Sequence, residues 1–149
     1  MNVSAVVIAK DEENAIGACL DSLAWCSEII LIDSGSADST REIAAARGAR
    51  VIEHAWQGFG RQKDFAVSQA THDWVLCIDA DEIVGAELRA SIERTLTRPA
   101  FRAYEMARCN RFMGAWLRHG EGYPDWILRL FDRRVARWSD DPVHEKVVT

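Results

Sequence analysis

Short, almost wholly apolar runs alternate with amphipathic segments along the first two thirds of the chain. The runs are Val3–Ala9, Glu28–Asp33 with its apolar core Ile29–Ile32, and Trp74–Ile78, and Arg50–Glu53 is a shorter strand candidate between the last two. Runs of this length predict strands buried on both faces of a sheet. Between the first two runs, apolar residues return at Ile16, Cys19, Leu20 and Leu23, the spacing of a helix that packs by one face. This alternation predicts an α/β domain with an open, largely parallel sheet covered on both faces.

Local signals suggest where the intervening helices begin and end. Lys10–Asn14 offers an N-cap and an acidic first turn for the first helix. Ser39 and Glu42 have the spacing of a capping box, and Gly48 is placed to end the second helix. Two further helices are predicted over residues 61–70 and 87–96.

The last third of the chain changes character. Residues 102–108 alternate weakly and suggest a strand, whereas residues 110–123, rich in glycine and aromatic residues, suggest a loop. Residues 126–131 and 135–138 are further short strand candidates. Without an internal repeat or a linker, the sequence predicts one domain over residues 1–149, with a variable part from residue 99 onward.

The run Val75–Ile78 ends abruptly in Asp79-Ala80-Asp81-Glu82. Unpaired charges at the edge of a core are costly, so this ending needs a compensating partner. Two carboxylates at i and i+2 supply hard oxygen ligands for Mg²⁺ or Mn²⁺, which also bind phosphates. The stretch therefore predicts a metal-assisted diphosphate site. The alternative is a solvated acidic turn that caps the following helix.

Other polar segments follow the remaining strands. Residues 9–12, Asp33 and the loop that leads to Gly60 all lie at predicted carboxyl ends, where open α/β sheets bind their ligands. The next helix begins with Arg61, Gln62 and Lys63, so its free N–H groups and side chains would attract an anion. The alternative there is a solvated basic turn.

The overall composition and charge give no support to a nucleic-acid-binding function. The chain has 149 residues, 48% of them hydrophobic and 28% charged, with a net charge of -5. Neither this charge nor the pI of about 5.4 gives an argument for nucleic-acid binding. A local basic segment, from Arg129 through Arg133 and Arg134 to Arg137, needs a separate explanation.

Cysteine usage and hydropathy indicate the compartment. Cys19, Cys26, Cys77 and Cys109 lack the spacing of a metal or redox motif, so we predict reduced and mostly buried thiols. No apolar run approaches the roughly 20 residues of a membrane span, and no signal peptide is recognisable at the start. The protein is therefore expected to be cytoplasmic, either free or held peripherally at a membrane.

Five motifs in order resemble family 2 glycosyltransferases, above all the branch that adds glucose to the inner core of bacterial lipopolysaccharide. They are Asp33-Ser34-Gly35-Ser36-Ala37-Asp38-Ser39-Thr40, Gly58-Phe59-Gly60-Arg61-Gln62-Lys63, Ile78-Asp79-Ala80-Asp81-Glu82, Tyr123-Pro124-Asp125-Trp126 with Arg129-Leu130-Phe131, and Val143-His144-Glu145. The resemblance covers essentially the whole chain. Five ordered motifs are far more specific than a single Asp-x-Asp.

This resemblance implies a GT-A fold, an α/β/α sandwich that binds a nucleotide-sugar in residues 1–98 and an acceptor through residues 99–149. It implies inverting transfer of a sugar, with glucose expected, from a UDP-sugar, with Mg²⁺ or Mn²⁺ as cofactor. Asp33 resembles the carboxylate that hydrogen-bonds the uracil. Asp79 resembles the contact to the ribose or sugar, and Asp81, after Ala80, the metal ligand at the diphosphate.

The resemblance assigns further roles. Glu12 and Lys63 occupy nucleotide-side positions, and Asp125 resembles the general base that deprotonates the acceptor hydroxyl. His144 is the weakest assignment, near the metal or the leaving diphosphate. The implied acceptor is a lipopolysaccharide-core or related glycan or glycolipid at the inner face of the bacterial inner membrane. The arginines of residues 129–137 would then meet its phosphates or anionic headgroups, unless they form a solvated face.

The sequence departs from the family pattern in two places. Ala9 and Asp11 stand where relatives usually have Thr and Asn, and the chain ends at Thr149, where relatives continue with a largely helical segment. A nucleotide-sugar-binding module without turnover is therefore an alternative. An aspartyl-phosphate phosphatase fits less well, since its Asp pair follows the first strand. A Ca²⁺ loop of EF-hand type lacks the required Gly, which is Val84 here.

Overall fold

The computed structural model describes residues 2–109, 112–118, 126–135, 137–138 and 147–148. The elements are β1 (Val3–Ala9), α1 (Ile16–Asp21), β2 (Glu28–Asp33), α2 (Thr40–Ala46), β3 (Arg50–Glu53), α3 (Phe59–Ser68), β4 (Trp74–Asp79), α4 (Ala86–Thr97), β5 (Ala103–Cys109), β6 (Phe112–Arg118), β7 (Trp126–Asp132), β8 (Arg137–Trp138) and β9 (Val147–Val148). The four strands and four helices predicted up to residue 98 are confirmed, with boundaries within about two residues at most ends.

Seven strands form one sheet in the order β3-β2-β1-β4-β7-β5-β6, and β8 pairs with β9 separately. β1 pairs in parallel with β2 and β4, and β2 pairs in parallel with β3. β7 joins β4 antiparallel, and β5 and β6 extend the sheet antiparallel. The predicted α/β architecture is confirmed, with a parallel half followed by an antiparallel half.

Side chains of the central strands bury both faces of the sheet. In β4, Leu76 and Ile78 join the core cluster that contains α1 and α4, whereas Val75 and Cys77 join the cluster that contains α3. Alternate residues of a strand point to opposite faces, so a strand covered on both sides must be apolar throughout. This requirement explains the unbroken apolar run before Asp79.

Three local expectations are wrong. Residues 112–118, within a predicted loop, form β6, because their backbone pairs with β5. α1 begins at Ile16 behind Ala15, without a side-chain cap or an acidic first turn. Ser39 occupies the N-cap of α2 but makes no capping hydrogen bond with its side chain, so the capping box does not form. For β6, a tertiary pairing overrides the local signal; at the start of α2, the side chain of Asp38 instead accepts a hydrogen bond from the Thr40 N–H at 3.0 Å.

The predictions for Gly48 and for the three described cysteines are confirmed. Gly48 has φ of +84° just after α2, the left-handed conformation that ends helices at glycine. Cys19 and Cys77 are buried free thiols and Cys26 is a partly buried one. The side chain of Cys109 lies outside the described residues.

Within the described part of the chain, no helix combines the length and apolarity that crossing a bilayer requires.

An ionic network centred on Asp132 links the carboxyl end of β7 to the amino-terminal end of β4. Asp132 is 1% exposed and accepts hydrogen bonds from the backbone N–H and Nε of Arg134, at 3.0 and 2.9 Å. Nη2 of Arg134 and Nη1 of Arg102 donate to its other oxygen, at 2.7 and 3.2 Å. The side-chain hydrogen bond from Arg134 is the main cause that lowers the pKa of Asp132 below its ordinary 3.8, against the effect of burial.

Asp132→Asn should therefore destabilise the fold by about 1.5–3 kcal/mol at pH 7, the range for hydrogen bonds to charged groups. A carboxylate with a lowered folded pKa stabilises the fold above its unfolded pKa, and the gain is lost as pH falls through the folded value. As the pH falls from 5 towards the range of acid unfolding, the free energy of unfolding should therefore decrease less for the variant than for the parent. Urea denaturation at a series of pH values measures this difference. Asp73→Asn is the control, since Asp73 is 51% exposed and 3.5 Å from Arg134. Equal pH dependence of parent and Asp132→Asn would contradict this account.

Candidate functional site

A cleft of about 660 Å³ opens at the carboxyl ends of β1, β2 and β4, beside the start of α3. Five residues predicted from the sequence line it: Glu12, Lys63, Asp79, Ala80 and Asp81. The predicted convergence of separate polar loops at one edge of the sheet is thus present in the structure. Asp125 and His144 lie outside the described residues.

Asp33 lies beneath this cleft and is fully buried. One carboxylate oxygen accepts hydrogen bonds from the backbone N–H groups of Gly35 and Ser36, at 3.0 and 2.9 Å, and the other accepts from the Ser36 hydroxyl. Its neighbour Ser34 lines the cleft, whereas Asp33 does not. The structure therefore gives Asp33 a part in shaping the loop after β2, and its predicted contact with uracil stays a prediction.

The loops after β1 and β2 are joined by reciprocal hydrogen bonds. The Asp11 carboxylate accepts from the Ala37 N–H at 2.7 Å, and the Asp11 N–H donates to the Ser36 hydroxyl at 2.9 Å. The Glu12 N–H donates to the Thr40 hydroxyl at 2.9 Å. Asp11 has φ of +54°, a left-handed conformation that Asp and Asn tolerate better than other side chains. The unusual Asp11 is therefore compatible with this loop.

The carboxylate-rich segment after β4 is a closed turn. The Glu82 carboxylate accepts from the Asp79 N–H at 2.7 Å, while the Glu82 N–H donates to the Asp79 carbonyl at 3.0 Å. Glu82 is 1% exposed, whereas Asp81 is exposed to the cleft. The next helix, α4, has Gly85 as its N-cap, with no side-chain cap. The reading of a solvated turn that caps a helix is therefore wrong.

Arg129 of β7 compensates this turn from within the core. Its guanidinium, 3% exposed, lies 3.3 Å from carboxylate oxygens of both Asp79 and Glu82, and it donates to the Cys77 carbonyl at 3.3 Å. Burial lowers the pKa of Arg129, but the charges of Asp79 and Glu82 outweigh this effect and raise it. Arg129 therefore remains charged.

The predicted arginine face for phosphates or headgroups is wrong for Arg129. Arg129 was assigned to an arginine face for phosphates or headgroups, but it is buried and paired. Arg133 donates to the His72 carbonyl at 2.8 Å and Arg134 pairs with Asp132, beside the amino-terminal end of β4. These two residues lie at the opposite end of β4 from Asp79. The side chain of Arg137 lies outside the described residues.

Cys19 of α1 lies behind the acidic turn. Its thiol is 3.5 Å from the Asp79 carbonyl oxygen, to which it donates. Burial, together with the charges of Glu82 and Asp79, raises the pKa of Cys19 to about 12. The thiol is therefore protonated at neutral pH and adds no charge to the cleft.

The start of α3 forms another part of the cleft wall. Lys63 is 8% exposed, and its Nζ lies 5.9 Å from the centre of the Phe59 ring. Gln62 is fully buried and binds His54 twice, through the ring Nδ1 and the carbonyl oxygen, both at 2.9 Å. His54 in turn stacks on Phe65, with centroids 3.7 Å apart. Gln62 thus fixes the loop against the helix, so that Lys63 reaches the cleft.

Sequence reasoning missed the aromatic part of this wall. Trp56 and Phe59 form an edge-to-face pair with centroids 4.7 Å apart, and both line the cleft. They are 49% and 47% exposed. The predictions from the sequence assign no role to Trp56. Its position between a strand end and two glycines was the available signal, because such loops face the ligand edge of the sheet.

The described residues contain no group of three or more His, Cys, Asp or Glu side chains arranged to hold a metal ion. Asp79 and Asp81 nevertheless supply hard oxygen donors that face the cleft. Mg²⁺ is commonly bound by one or two carboxylates, with water and substrate phosphates completing its shell. The donor set therefore fits a hard divalent cation that arrives with a phosphorylated ligand.

Comparison with known sequences identifies relatives over most of the chain. Residues 4–137 match the family model described as Glycosyl transferase family 2. An uncharacterised glycosyltransferase of Rickettsia typhi is 31% identical over 98% of this chain and 52% of its own length. The lipopolysaccharide core biosynthesis glycosyltransferase LpsC of Rhizobium meliloti is 36% identical over 98% of this chain and 57% of its own length. The chain spans about half the length of these curated relatives.

Solved structures of two sugar-transferring synthases are similar to this chain. Glucosyl-3-phosphoglycerate synthase of Mycobacterium tuberculosis, in complex with Mn²⁺, UDP and glucosyl-3-phosphoglycerate, superposes with a TM-score of 0.59 at 26% identity, over 68% of this chain and 42% of the synthase. Mannosyl-3-phosphoglycerate synthase of Rubrobacter xylanophilus gives 0.60 at 26% identity, over 69% and 38%.

Gly58→Ala should destabilise the wall formed by α3. Gly58 is the N-cap residue of α3 and has φ of +98° and ψ of 156°, a region that is essentially restricted to glycine. Imposing a side chain there should lower the free energy of unfolding by about 1–3 kcal/mol. Gly85→Ala is a matched control, because Gly85 is the N-cap of α4 with φ of -71° and open space around its Cβ position. Urea unfolding that gives equal values for both variants would show that the backbone of Gly58 is unstrained.

Proposed function

Since the chain belongs to glycosyltransferase family 2, we propose that it transfers a sugar from a UDP-sugar to a glycan acceptor with inversion at the anomeric carbon. Glucose is the proposed sugar, and a divalent metal assists. The observation that carries this proposal is the cleft at the strand ends, which Lys63, Asp79 and Asp81 all line. A cation and two carboxylates beside one cleft suit a ligand that carries a diphosphate.

The donor is proposed to bind with its nucleoside beside the loops after β1 and β2. Glu12 and Ser34 line that side, and the half-exposed Trp56 offers an aromatic surface beside them. For Asp33 we propose a hydrogen bond to the uracil, in addition to the hydrogen bonds by which it holds the loop that presents Ser34. The UDP bound to the mycobacterial synthase supports UDP as the nucleotide.

Lys63 is proposed to bind the diphosphate, and Asp81 to ligate the metal with Asp79 beside it. A bound divalent cation would supply stabilisation of the charge that develops on the leaving diphosphate. Asp79 is held by Arg129 and by the turn, so it is suited to accept a hydrogen bond from the ribose or sugar. Asp81 is exposed and faces the cleft, which suits a metal ligand.

Asp125 is the proposed general base, with His144 as a secondary candidate near the metal or the leaving group. An acceptor hydroxyl is a poor nucleophile at neutral pH, so a carboxylate must take its proton as it attacks. Trp126, the residue after Asp125, begins β7, which runs antiparallel to β4. The chain therefore enters β7 at the end of the sheet where Asp79 and Asp81 lie.

For the acceptor we propose a lipopolysaccharide-core or related glycan or glycolipid. The 36% identity to the lipopolysaccharide core glycosyltransferase LpsC supports this class. Such an acceptor would place the protein in the cytoplasm, at the inner face of the inner membrane. The net charge of -5 gives no support to a nucleic-acid partner.

Calorimetric titration with UDP-sugars, with Mn²⁺, Mg²⁺ or EDTA, tests the donor site. UDP-glucose should bind in a metal-dependent manner, and Asp81→Asn should weaken that binding by at least about tenfold, since a charged interaction is lost. Asp21→Asn is the control, because Asp21 is 65% exposed and pairs with Arg47 away from the cleft. Failure of every UDP-sugar to bind would overturn the proposal.

Asp125→Asn tests the base. Turnover with a lipopolysaccharide-core acceptor should fall by about 10²- to 10⁴-fold, the usual contribution of general base catalysis. Affinity for the UDP-sugar should stay the same, and an equal loss of binding would reject this role. If the parent chain binds UDP-glucose but releases no UDP with any acceptor, it is a nucleotide-sugar-binding module rather than a transferase.

A further inference from the structure

We propose that Arg129 is a positioning residue for the donor site, which acts through Glu82 to hold Asp79 and Asp81 in their binding arrangement. The inference rests on the proposed function, because it concerns the same metal and diphosphate site. Arg129 is 3% exposed and is not among the residues that line the cleft. Its effect must therefore pass through the side chains that it contacts.

The guanidinium joins three parts of the acidic turn. Nη1 donates to the Cys77 carbonyl at 3.3 Å and lies 3.3 Å from a Glu82 oxygen. Nη2 donates to the Asp79 and Glu82 carboxylates, at 3.3 and 3.4 Å. Nε finds no hydrogen-bond partner in the described part of the chain, so the two terminal nitrogens alone set its position. A planar fork of donors can span two carboxylates in this way, whereas a lysine ammonium cannot.

Glu82 is the link between Arg129 and the cleft. Its Oε1 pairs with Arg129 and also accepts the Asp79 N–H at 2.7 Å, so its position fixes the backbone of Asp79. Glu82 is 1% exposed, and a buried carboxylate without a counter-charge either moves towards water or takes up a proton. Either change would disturb the backbone from which Asp79 and Asp81 project.

The arrangement also connects the two halves of the sheet. β4, which ends in the acidic turn, belongs to the parallel half, whereas Arg129 comes from β7 in the antiparallel half. β7 begins at Trp126, directly after the proposed base Asp125. Arg129 therefore fixes the turn relative to the strand that follows the proposed base.

The test is calorimetric binding of UDP in the presence of Mn²⁺ to the full chain and its variants. Arg129→Met should weaken this binding by about tenfold or more, because Glu82 then keeps its buried charge without the counter-charge of Arg129. Arg129→Lys keeps the charge without the fork and should give an intermediate loss. Arg102→Met is the control, because Arg102 also pairs with a buried carboxylate, Asp132, at the other end of the sheet.

The deciding variant is the double substitution Arg129→Met with Glu82→Gln. Glutamine keeps an oxygen for the Asp79 N–H but carries no charge, so the double variant should bind within about threefold of Glu82→Gln alone. A merely space-filling role for Arg129 would leave the double variant as weak as Arg129→Met. That result, or unchanged binding by Arg129→Met, would overturn the inference. If Arg129→Met does not fold, UDP binding by Arg129→Lys, Glu82→Gln and the double variant still tests the role of Arg129.

These outcomes are distinct from failure of the proposed function. If the parent chain does not bind UDP with Mn²⁺, the donor site itself is wrong. If the parent binds and the variants bind equally well, the donor site stands and only the role of Arg129 is refuted.

Discussion

A strand buried on both faces ends here in a cluster of carboxylates, and the rest of the site depends on how that charge is compensated. Glu82 and part of Asp79 lie in the protein interior, where an unpaired charge would be prohibitively costly. Arg129 supplies the counter-charge from β7, and the backbone N–H of Asp79 supplies a hydrogen bond. This compensation leaves Asp81, at the surface of the turn, open to the cleft.

The loops after β1 and β2 are stabilised in a different way. They are held by short polar side chains that bind backbone N–H groups, as Asp33 binds Gly35 and Asp11 binds Ala37. These carboxylates shape the backbone of the loops, from which Lys10, Glu12 and Ser34 line the cleft. Carboxylates thus serve as lining groups after β4 and as supports of the backbone after β1 and β2.

The sequence predicted the parallel half of the sheet well, because a strand covered on both sides must be apolar and the helices between such strands must be amphipathic. It also predicted that Lys63 and Asp81 would face one cleft, since strand ends converge. It did not predict the burial of Arg129, because the partner of a buried charge depends on which strands are neighbours. β6 was missed because glycine and aromatic residues are common in loops, while pairing with β5 is a tertiary property.

The order of strands in the sheet differs from their order along the chain, and this has a consequence for folding. β1 is an interior strand, yet one of its two neighbours, β4, is separated from it along the chain by the whole of β2 and β3. Because non-local pairing is slow, the edge of β1 that faces β4 remains open until β4 docks. β4 in turn waits for β7, which brings Arg129. During synthesis the acidic turn is thus made long before its counter-charge, so the interior site becomes stable only when β7 is added.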